Sequence, residues 1–551
     1  MALSSNNKQI LDNAVRAIHE RVFFAQYPEH PKAYGEDAPN QGLEAYKAQL
    51  NNKFTQLLQA DEAGWIGEEN SPYTNESIHI EYPKFEVNDL VARSKVAFGS
   101  WKKLAIDERA EILIDALERV KGRFFEIAHA TMHTTGQSFM MSFQASGPHA
   151  SDRALEAVAA CYHELTRYPT EVDWVKPMGK FNVELEKTFK PIAKGVGLVI
   201  GCSTFPVWNT VPGVFANLMA GNTVIVKPHQ KAIYPIAIVI AELQAAMQAA
   251  GVNAESVLLA VDSEAALITK DLAEHADVKL IDYTGGSTFG DYIESIPNKT
   301  VFTEKAGVNS VILDSVEDMK AVMQNLSFAV SLYSGQMCTA PQNFFIPESG
   351  VKTADGHMSY DEVVNGLKQS ISGLVAHPKM GAGTLGAIQN PATLERAKNS
   401  SSLGNVALAP AQIENAEFAN ARVCAPTIIE VTAADTSVFE QELFGPIIIV
   451  IKTANTDQSI ELAQSMAENH GAITCAAYTT NNDVKQQIEE AMESVFTPVS
   501  FNLTGFIWVN QHAAFSDFHV TGGNPAGNAS FTNADYANRR FVWVGHRSIK
   551  S

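Results

Sequence analysis
Four short apolar runs follow one another in the middle of the chain: GVGLVIG (195–201), NTVIVK (222–227), SVLLAV (256–261) and VKLID (278–282). Each is rich in β-branched residues, and none alternates polar with apolar. Each therefore reads as a strand buried on both faces. The segments between them include two helical patterns, residues 234–251 and 263–276. Buried strands separated by helices of that length build a parallel sheet covered on both sides, a nucleotide-binding type of architecture that does not by itself define a function. A second series starts near Ser310: SVILDS, a helix to about Ser334, NFFIP, a helix over residues 360–374, then TIIEV, PIIIVI, ITCAAY and FIWVN. The fold class is thus α/β with two parallel-sheet domains.

Outward from this centre the texture changes. Residues 1–75 are polar and helix-rich and end in the loop GEENSPYTNES. Residues 107–120 read as a helix with Asp107 as N-cap and Ala110, Leu113, Leu117 and Val120 on one face. More helical pattern runs to about Leu165, and the Pro/Gly-punctuated stretch YPTEVDWVKPMGKFNVELEKTF (168–189) reads as an exposed hairpin. The tail from Gln511 is rich in Gly and Asn and closes with the short strand pattern FVWVGHRS (541–548). Neither the hairpin nor that strand has a sheet partner in this reading, so both are expected to pair with something or to need protection.

The chain has 551 residues with 41 Lys+Arg against 61 Asp+Glu, a net charge of −20. So acidic a surface, with no local basic patch, argues against nucleic acid as a partner. The five cysteines, Cys161, Cys202, Cys338, Cys424 and Cys475, lie far apart without a C-x-x-C pair, which argues against a disulfide framework and a metal site. The N-terminus lacks a signal-peptide core, and the longest apolar stretches, 233–241 and 444–451, are too short to span a bilayer. The expectation is a soluble, cytoplasmic protein with no membrane partner.

Several residues stand out for chemistry. A free cysteine is most often a small buried hydrophobe, but Cys338 follows a Gly-Gln turn at a helix end, where Gly335 allows close backbone approach. Glu304 ends the apolar run TVFTE just before a small-residue turn, which can aim a carboxylate into a cleft; a surface glutamate is the bland alternative. The turn GGSTFG (285–290) follows a strand and opens a helix, so a dinucleotide pyrophosphate can sit at the helix N-terminus. It is not the G-x-G-x-x-G fingerprint. Lys227 ends a buried strand before Pro228 and so emerges toward a crevice.

Five patterns occur in one order: AGNTVIVKP (220–228), TGGSTFG (284–290), TEKAG (303–307), GQMC (335–338) and ELFGP (442–446). Together they resemble the aldehyde dehydrogenase superfamily over roughly residues 85–550. The spelling CSTFPVWN…AGNTVIVKPH is most similar to the branch linked to phenylacetic acid degradation. The resemblance implies that Cys338 is the nucleophile, forming a hemithioacetal and then a thioester, and that Glu304, with Gly307, activates the hydrolytic water. It implies that Lys227 and Gln230 hold the adenosine ribose, that Gly285, Gly286, Ser287 and Gly290 form the pyrophosphate turn, and that Glu442 and Phe444 meet the nicotinamide ribose and ring. Departures are visible: Glu-Lys-Ala-Gly replaces Glu-Leu-Gly-Gly, Gly286 and Ser287 replace a Ser-Thr pair, and Gln230 replaces a common Glu. The oxyanion-hole Asn is replaced as well. Counted back from Gly221, Thr204 occupies its position, and Asn209 stands nearby at the wrong spacing.

The resemblance also implies an organisation. Residues 1–75 are an N-terminal helical extension; 76–166 and 190–303 form the dinucleotide-binding domain. Residues 167–189 and 511–551 form an oligomerisation hairpin and tail, and 304–510 form the catalytic domain. It implies oxidation of a small-molecule aldehyde, free or carried on coenzyme A, with NADP or NAD, NADP being favoured because Gln230 removes a charge that repels a 2′-phosphate. A homodimer or dimer of dimers is expected. Two alternatives remain: acylating chemistry in which coenzyme A takes the acyl group, against which Glu304 speaks, and a scaffold that has lost turnover.

Overall fold
The computed structural model describes residues 3–507, 514–515 and 519–550. Its N-terminal half begins with helices α1 (Ser5–Glu20), α2 (Ala38–Gln49), α3 (Val87–Trp101), α4 (Ile106–Lys121), α5 (Phe124–Thr135), α6 (Phe139–Ser146) and α7 (Pro148–Thr166). The first residues are not detached. Ile10, Leu11, Ala14, Tyr27, Tyr46 and Phe54 belong to the same buried cluster as the helices that flank the first sheet. Asn7 donates to Asp115 of α4 at 2.9 Å. The Asp107 N-cap expected for α4 is corrected: the cap is Ala105, whose N–H donates to Glu108 at 2.9 Å. Asp107 instead accepts from the Tyr162 hydroxyl at 3.0 Å.

The hairpin forms as strands β1 (Glu171–Pro177) and β2 (Asn182–Ala193), and the tail strand as Phe541–Ile549. The expectation that they lack partners is overturned, because β2 pairs antiparallel with both β1 and the tail strand.

The four apolar runs become β3 (Val196–Ile200), β4 (Thr223–Lys227), β5 (Val257–Leu259) and β6 (Val278–Gly285), joined by β7 (Thr300–Lys305). They form one parallel sheet in the order β5-β4-β3-β6-β7. The order reverses at β3, so the loops leaving β3 and β6 flank the switch-point crevice where such sheets bind ligands. Helix α8 (Pro206–Met219) follows β3, α9 (Tyr234–Ala249) follows β4, and α10 (Thr269–Glu274) precedes β6. The helix expected over 263–276 is thus shorter. Its first part is a loop held by Asp262, which accepts from the Ile268 N–H at 3.1 Å and pairs with Lys227. Helix α11 (Ser287–Ser295) starts directly after the glycine turn.

The second sheet comprises β8 (Ser310–Leu313), β9 (Asn343–Pro347), β10 (Asn405–Leu408), β11 (Thr427–Thr432), β12 (Ile447–Thr453), β13 (Cys475–Tyr478) and β14 (Val499–Phe501). Its order is β10-β11-β12-β9-β8-β13-β14, with only β10 antiparallel. The strand expected at FIWVN is not found where it is described, since Phe506 lies in a turn; residues 508–510 of it lie outside the described residues. The edge of this sheet is β14 instead.

Edge strand β7 is covered by the tail. Lys305 N–H donates to Ala526 at 2.7 Å, Asn528 N–H donates to Thr303 at 2.8 Å, and Asn528 Oδ1 accepts from the Thr303 N–H at 2.8 Å. Between them Gly527 adopts φ +127°, and a Cβ there would lie 2.1 Å from the Thr303 carbonyl oxygen, so only glycine permits the approach. Arg540, fully buried, locks the end of the tail onto β6 through two bonds to Asp282, of 2.6 and 2.8 Å. Such a pair is stabilising because it is bidentate and satisfied. These contacts position the site.

Candidate active site
A cleft of about 540 Å³ opens outside the C-terminal ends of β3, β4 and β6. Lys227, Gln230, Gly285, Gly286, Glu442 and Phe444 line it, as do Thr204, Asn209, Glu304 and Cys338. The structure therefore brings most of the residues expected to hold a dinucleotide into one groove with the expected nucleophile and base, but Ser287 and Gly290 do not line it, and the Ser287 hydroxyl donates to the Ala306 carbonyl at 3.4 Å. The glycines of the turn serve different ends. A Cβ on Gly285 would lie 2.4 Å from the Tyr283 hydroxyl oxygen, and one on Gly290 would lie 2.4 Å from Lys305, so these two permit packing. Gly286 is open to the cleft and caps α11, whose free N–H groups suit a phosphate.

The adenosine end differs from a simple exposed lysine. Lys227 is buried, donates to the Pro228 carbonyl at 2.6 Å and pairs with buried Asp262 at 2.7 Å. Burial lowers its pKa although Asp262 opposes the shift. At the other end, burial pushes the Glu442 carboxyl up to about 7. Its carboxyl takes no protein hydrogen bond among the described residues, which fits a group waiting for ligand hydroxyls. These features fit a nicotinamide dinucleotide.

Cys338 comes after an abrupt turn. Helix α12 (Met319–Ser331) ends in a tight turn in which Tyr333 and Ser334 have φ of 52° and 50°. Gly335 follows at φ +66°, and a Cβ there would meet the Gly445 carbonyl oxygen at 2.4 Å. The close approach expected of Gly335 is therefore to the ELFGP loop and not to a ligand. It ties the nucleophile's turn to Glu442 and Phe444. Asn309 fixes the other side, donating to the Cys338 carbonyl at 2.7 Å.

Beyond the thiol lies a second, narrow pocket of about 60 Å³, lined by Met141, Phe205, Trp208, Asn209, Met337 and Cys338 among others. Asn209, on α8, donates to Glu304 Oε2 at 3.0 Å, and its own Oδ1 accepts from Cys202 at 3.5 Å. Thr204 does not line this pocket. Its carbonyl accepts from Gln137 at 2.8 Å. Beside it, burial pushes the Cys202 thiol up to about 11.

One group was missed. His519, in the segment expected to serve subunit contacts, places Nε2 2.9 Å from Glu304 Oε1 and 3.7 Å from Cys338 Sγ. It is 3% exposed and lies edge-on to Trp208 at 4.9 Å. Nothing local marks it: a lone histidine in a Gly/Asn-rich stretch carries no periodicity or motif. Its presence changes the expected electrostatics of Glu304. Burial raises a carboxyl pKa, as an apolar site does for a general base, but the charge and hydrogen bond of His519 outweigh it, and Cys338 and Arg153 add to the effect. The carboxyl ends below its ordinary value and is ionised at neutral pH. Cys338 moves the other way, pushed well above the usual thiol range by burial and then by the Glu304 charge. In the resting site thiol, carboxylate and imidazole thus form one cluster, with their reactive atoms within 4.8 Å of one another.

The comparisons with known proteins agree with this geometry. The family model "Aldehyde dehydrogenase family" matches residues 68–530, and the chain belongs to that family; it is an aldehyde dehydrogenase. The crystal structure of an NAD-dependent aldehyde dehydrogenase from Burkholderia multivorans is 41% identical, with a TM-score of 0.97, covering 100% of this chain and 99% of that one. The structure of 1-pyrroline-5-carboxylate dehydrogenase from Thermus with bound NAD shares the fold at a TM-score of 0.76 and 18% identity, covering 96% of this chain and 99% of that one. A 2-hydroxymuconic semialdehyde dehydrogenase of Pseudomonas sp. (strain CF600) is 24% identical over 78% of this chain and 84% of its own length. Among the described residues no helix is long and apolar enough to cross a membrane.

Proposed function
We propose that the enzyme oxidises an aldehyde to the carboxylic acid through a covalent adduct on Cys338, with NAD or NADP held in the cleft. The observation that carries this reading is the meeting of the Cys338 thiol and the Glu304 carboxylate where the dinucleotide-sized cleft joins the apolar pocket. Lys227 and Gln230 serve the adenosine ribose, Gly286 at the start of α11 serves the pyrophosphate while Gly285 and Gly290 let the turn pack, and Glu442 and Phe444 serve the nicotinamide ribose and ring. The bound nicotinamide supplies the hydride acceptor.

The Cys338 sulfur adds to the aldehyde carbon, and the carbonyl π pair moves to oxygen. That oxygen is met by the Cys338 N–H and a side-chain donor. We assign the side chain to Asn209 in place of Thr204, because Asn209 lines the narrow pocket together with the thiol and Thr204 does not. Once the acyl group is on sulfur, Glu304 takes a proton from the water that attacks it, and the acid departs. With Glu304 in place, water and not coenzyme A is the acceptor.

Both cofactors are used, NADP at least as well as NAD. Gln230 removes a carboxylate from the ribose end, although the Lys227–Asp262 pair leaves less free positive charge there. The Burkholderia relative is described as NAD-dependent. For the substrate, Met141, Phe205, Trp208 and Met337 favour an apolar or aromatic body, with Gln144 and His149 offering polar contacts. Together with the phenylacetate-branch spelling and the semialdehyde-oxidising relative, this points to a semialdehyde or aldehyde of aromatic degradation. Screening aldehydes with both cofactors, by absorbance of reduced nicotinamide, tests the reading. Aryl and ring-opened semialdehydes should exceed acetaldehyde, and absence of reduction with every aldehyde would overturn it.

The subunits form at least a dimer through the three-stranded sheet, where Val175, Phe181, Ile192 and Val542 are 52%, 64%, 46% and 52% exposed. A single monomeric boundary in sedimentation velocity at micromolar concentration would refute this.

A further inference from the structure
The N-terminal extension reaches the narrow pocket beside the thiol. We propose that Glu29, through its ion pair with His149, makes this pocket select aldehydes whose far end is uncharged (aryl, alkyl or esterified) against aldehydes that carry a second, ionised carboxyl group. This rests on the reading of that pocket as the aldehyde site.

The segment that carries Glu29 is pinned along the start of α7. The Gln26 N–H donates to Asp152 at 2.9 Å, Tyr27 is buried with its ring 5.9 Å from that of Phe124, and the Phe24 ring lies edge-on to Phe515 at 5.0 Å. Glu29 Oε2 then lies 2.7 Å from Nε2 of His149, which stands in the first turn of α7. His149 lines the pocket with its side chain 13% exposed, while the Glu29 side chain is 52% exposed. The pair therefore stands where the pocket wall meets solvent, and it places a carboxylate one hydrogen bond from the pocket.

The charges around the pocket leave a substrate carboxylate without a counter-ion. Among the described residues that line it there is no lysine or arginine. The chain has neither anywhere in residues 486–538, the stretch that brings His519 to the thiol. Arg153 stacks on Trp208, but it lines a separate small cavity on the Glu304 side and pairs with Glu156 at 3.1 Å. His149 is the one described lining residue able to carry positive charge, and Glu29 cancels that charge. At the thiol end the ionised Glu304 is bonded to Asn209. A carboxylate entering here gives up its water to Met141, Phe205, Trp208 and Met337, a cost that no partner offsets. The carboxylates at both ends of the pocket repel it as well. An uncharged end gains apolar burial instead, and Gln144 offers an amide to a neutral oxygen. The extension thus takes part in choosing the substrate.

The test compares adipic semialdehyde with its methyl ester, two aldehydes of similar length that differ in charge. Wild type should favour the ester in kcat/KM by at least about a hundredfold, since a buried carboxylate without a partner is costly. Glu29→Lys should cut that preference at least about tenfold, because an attracting charge replaces a repelling one, and Glu29→Gln should cut it less. The ratio is the readout, so damage that slows both aldehydes leaves it in place. Calorimetry on Cys338→Ala reads the same preference as a ratio of Kd values, without turnover. Melting temperature checks each variant, and Glu29→Gln serves alone where Glu29→Lys unfolds. Wild type that binds and oxidises the acid as well as its ester would overturn the proposal. So would folded Glu29 variants that all keep the wild-type ratio. If neither aldehyde is oxidised while the Kd ratio holds, the functional reading falls and the selectivity of the pocket stands.

Discussion
Replacing Glu304 by Gln keeps the length of the side chain and removes its ability to accept a proton from water. The native carboxylate receives Asn209 Nδ2 at 3.0 Å and His519 Nε2 at 2.9 Å. In the variant the amide oxygen can still accept from Asn209, while the amide nitrogen faces His519, which accepts through Nε2 once its ring proton moves to Nδ1. Geometry is therefore conserved, so acylation should slow by no more than about tenfold. Hydrolysis loses its general base, a contribution of about 10²–10⁴ in rate. Stopped-flow absorbance should show a burst of about one reduced cofactor per site, followed by a steady rate lower by that factor. Intact mass spectrometry should find the acyl group on the Cys338 peptide, and coenzyme A added to the stalled enzyme should not release it faster than water. Cys338→Ala should show neither burst nor adduct. Steady turnover at the wild-type rate in Glu304→Gln would refute the argument, because it would require another base for water.

Asn209→Ala should lower kcat by about 10²–10³, the usual loss of one oxyanion donor, while Thr204→Val should change it less than about tenfold; the opposite ranking would return the role to Thr204. Gln230→Glu should spare NAD and depress kcat/KM for NADP at least about a hundredfold. A carboxylate about 4 Å from a 2′-phosphate costs roughly 4 kcal/mol per unit charge at an effective dielectric near 20. An unchanged cofactor ratio would remove Gln230 from the ribose site. Glu69 makes a pH prediction for stability. Burial holds its carboxyl up at about 7, although it accepts from the Tyr82 hydroxyl and the N–H groups of Tyr234 and Ile233. Its folded value lies above its unfolded one, so the native state holds the proton more tightly; this stability is full below about pH 4.5 and is lost as pH rises through 7. The loss amounts to about 3 kcal/mol. The melting temperature of wild type, but not of Glu69→Gln, should therefore fall between pH 5 and 8, and parallel curves would contradict the assignment.

What was legible in the chain is what local pattern controls. The runs at 195–201, 222–227, 256–261 and 278–282 are β-branched and apolar on both faces, and all four appear as neighbouring strands of one parallel sheet. Cys338 and Glu304 were legible because each stands at a turn whose small residues are visible in the sequence. Where a neighbour distant in sequence decides, local pattern misleads. Residues 263–268 have helical spacing, but Asp262 binds their last N–H and Lys227 together, and the helix is delayed to Thr269. Thr204 has the right count from Gly221, while Asn209, on the helix that follows, shares the narrow pocket with Cys338, a juxtaposition that the count does not show.

The hairpin and the tail strand each looked unpaired because their partners lie more than three hundred residues apart along the chain, and only the folded sheet joins Thr188 to His546. His519 is the clearest case. By itself the sequence determined the α/β architecture and singled out Cys338 and Glu304 as candidates, since those depend on residue type and nearby turns. The tertiary structure alone decided that a tail residue, His519, stands beside them. That placement rests on Gly527 lying against the Thr303 carbonyl and Arg540 locking onto Asp282, contacts between distant segments that no local spacing encodes.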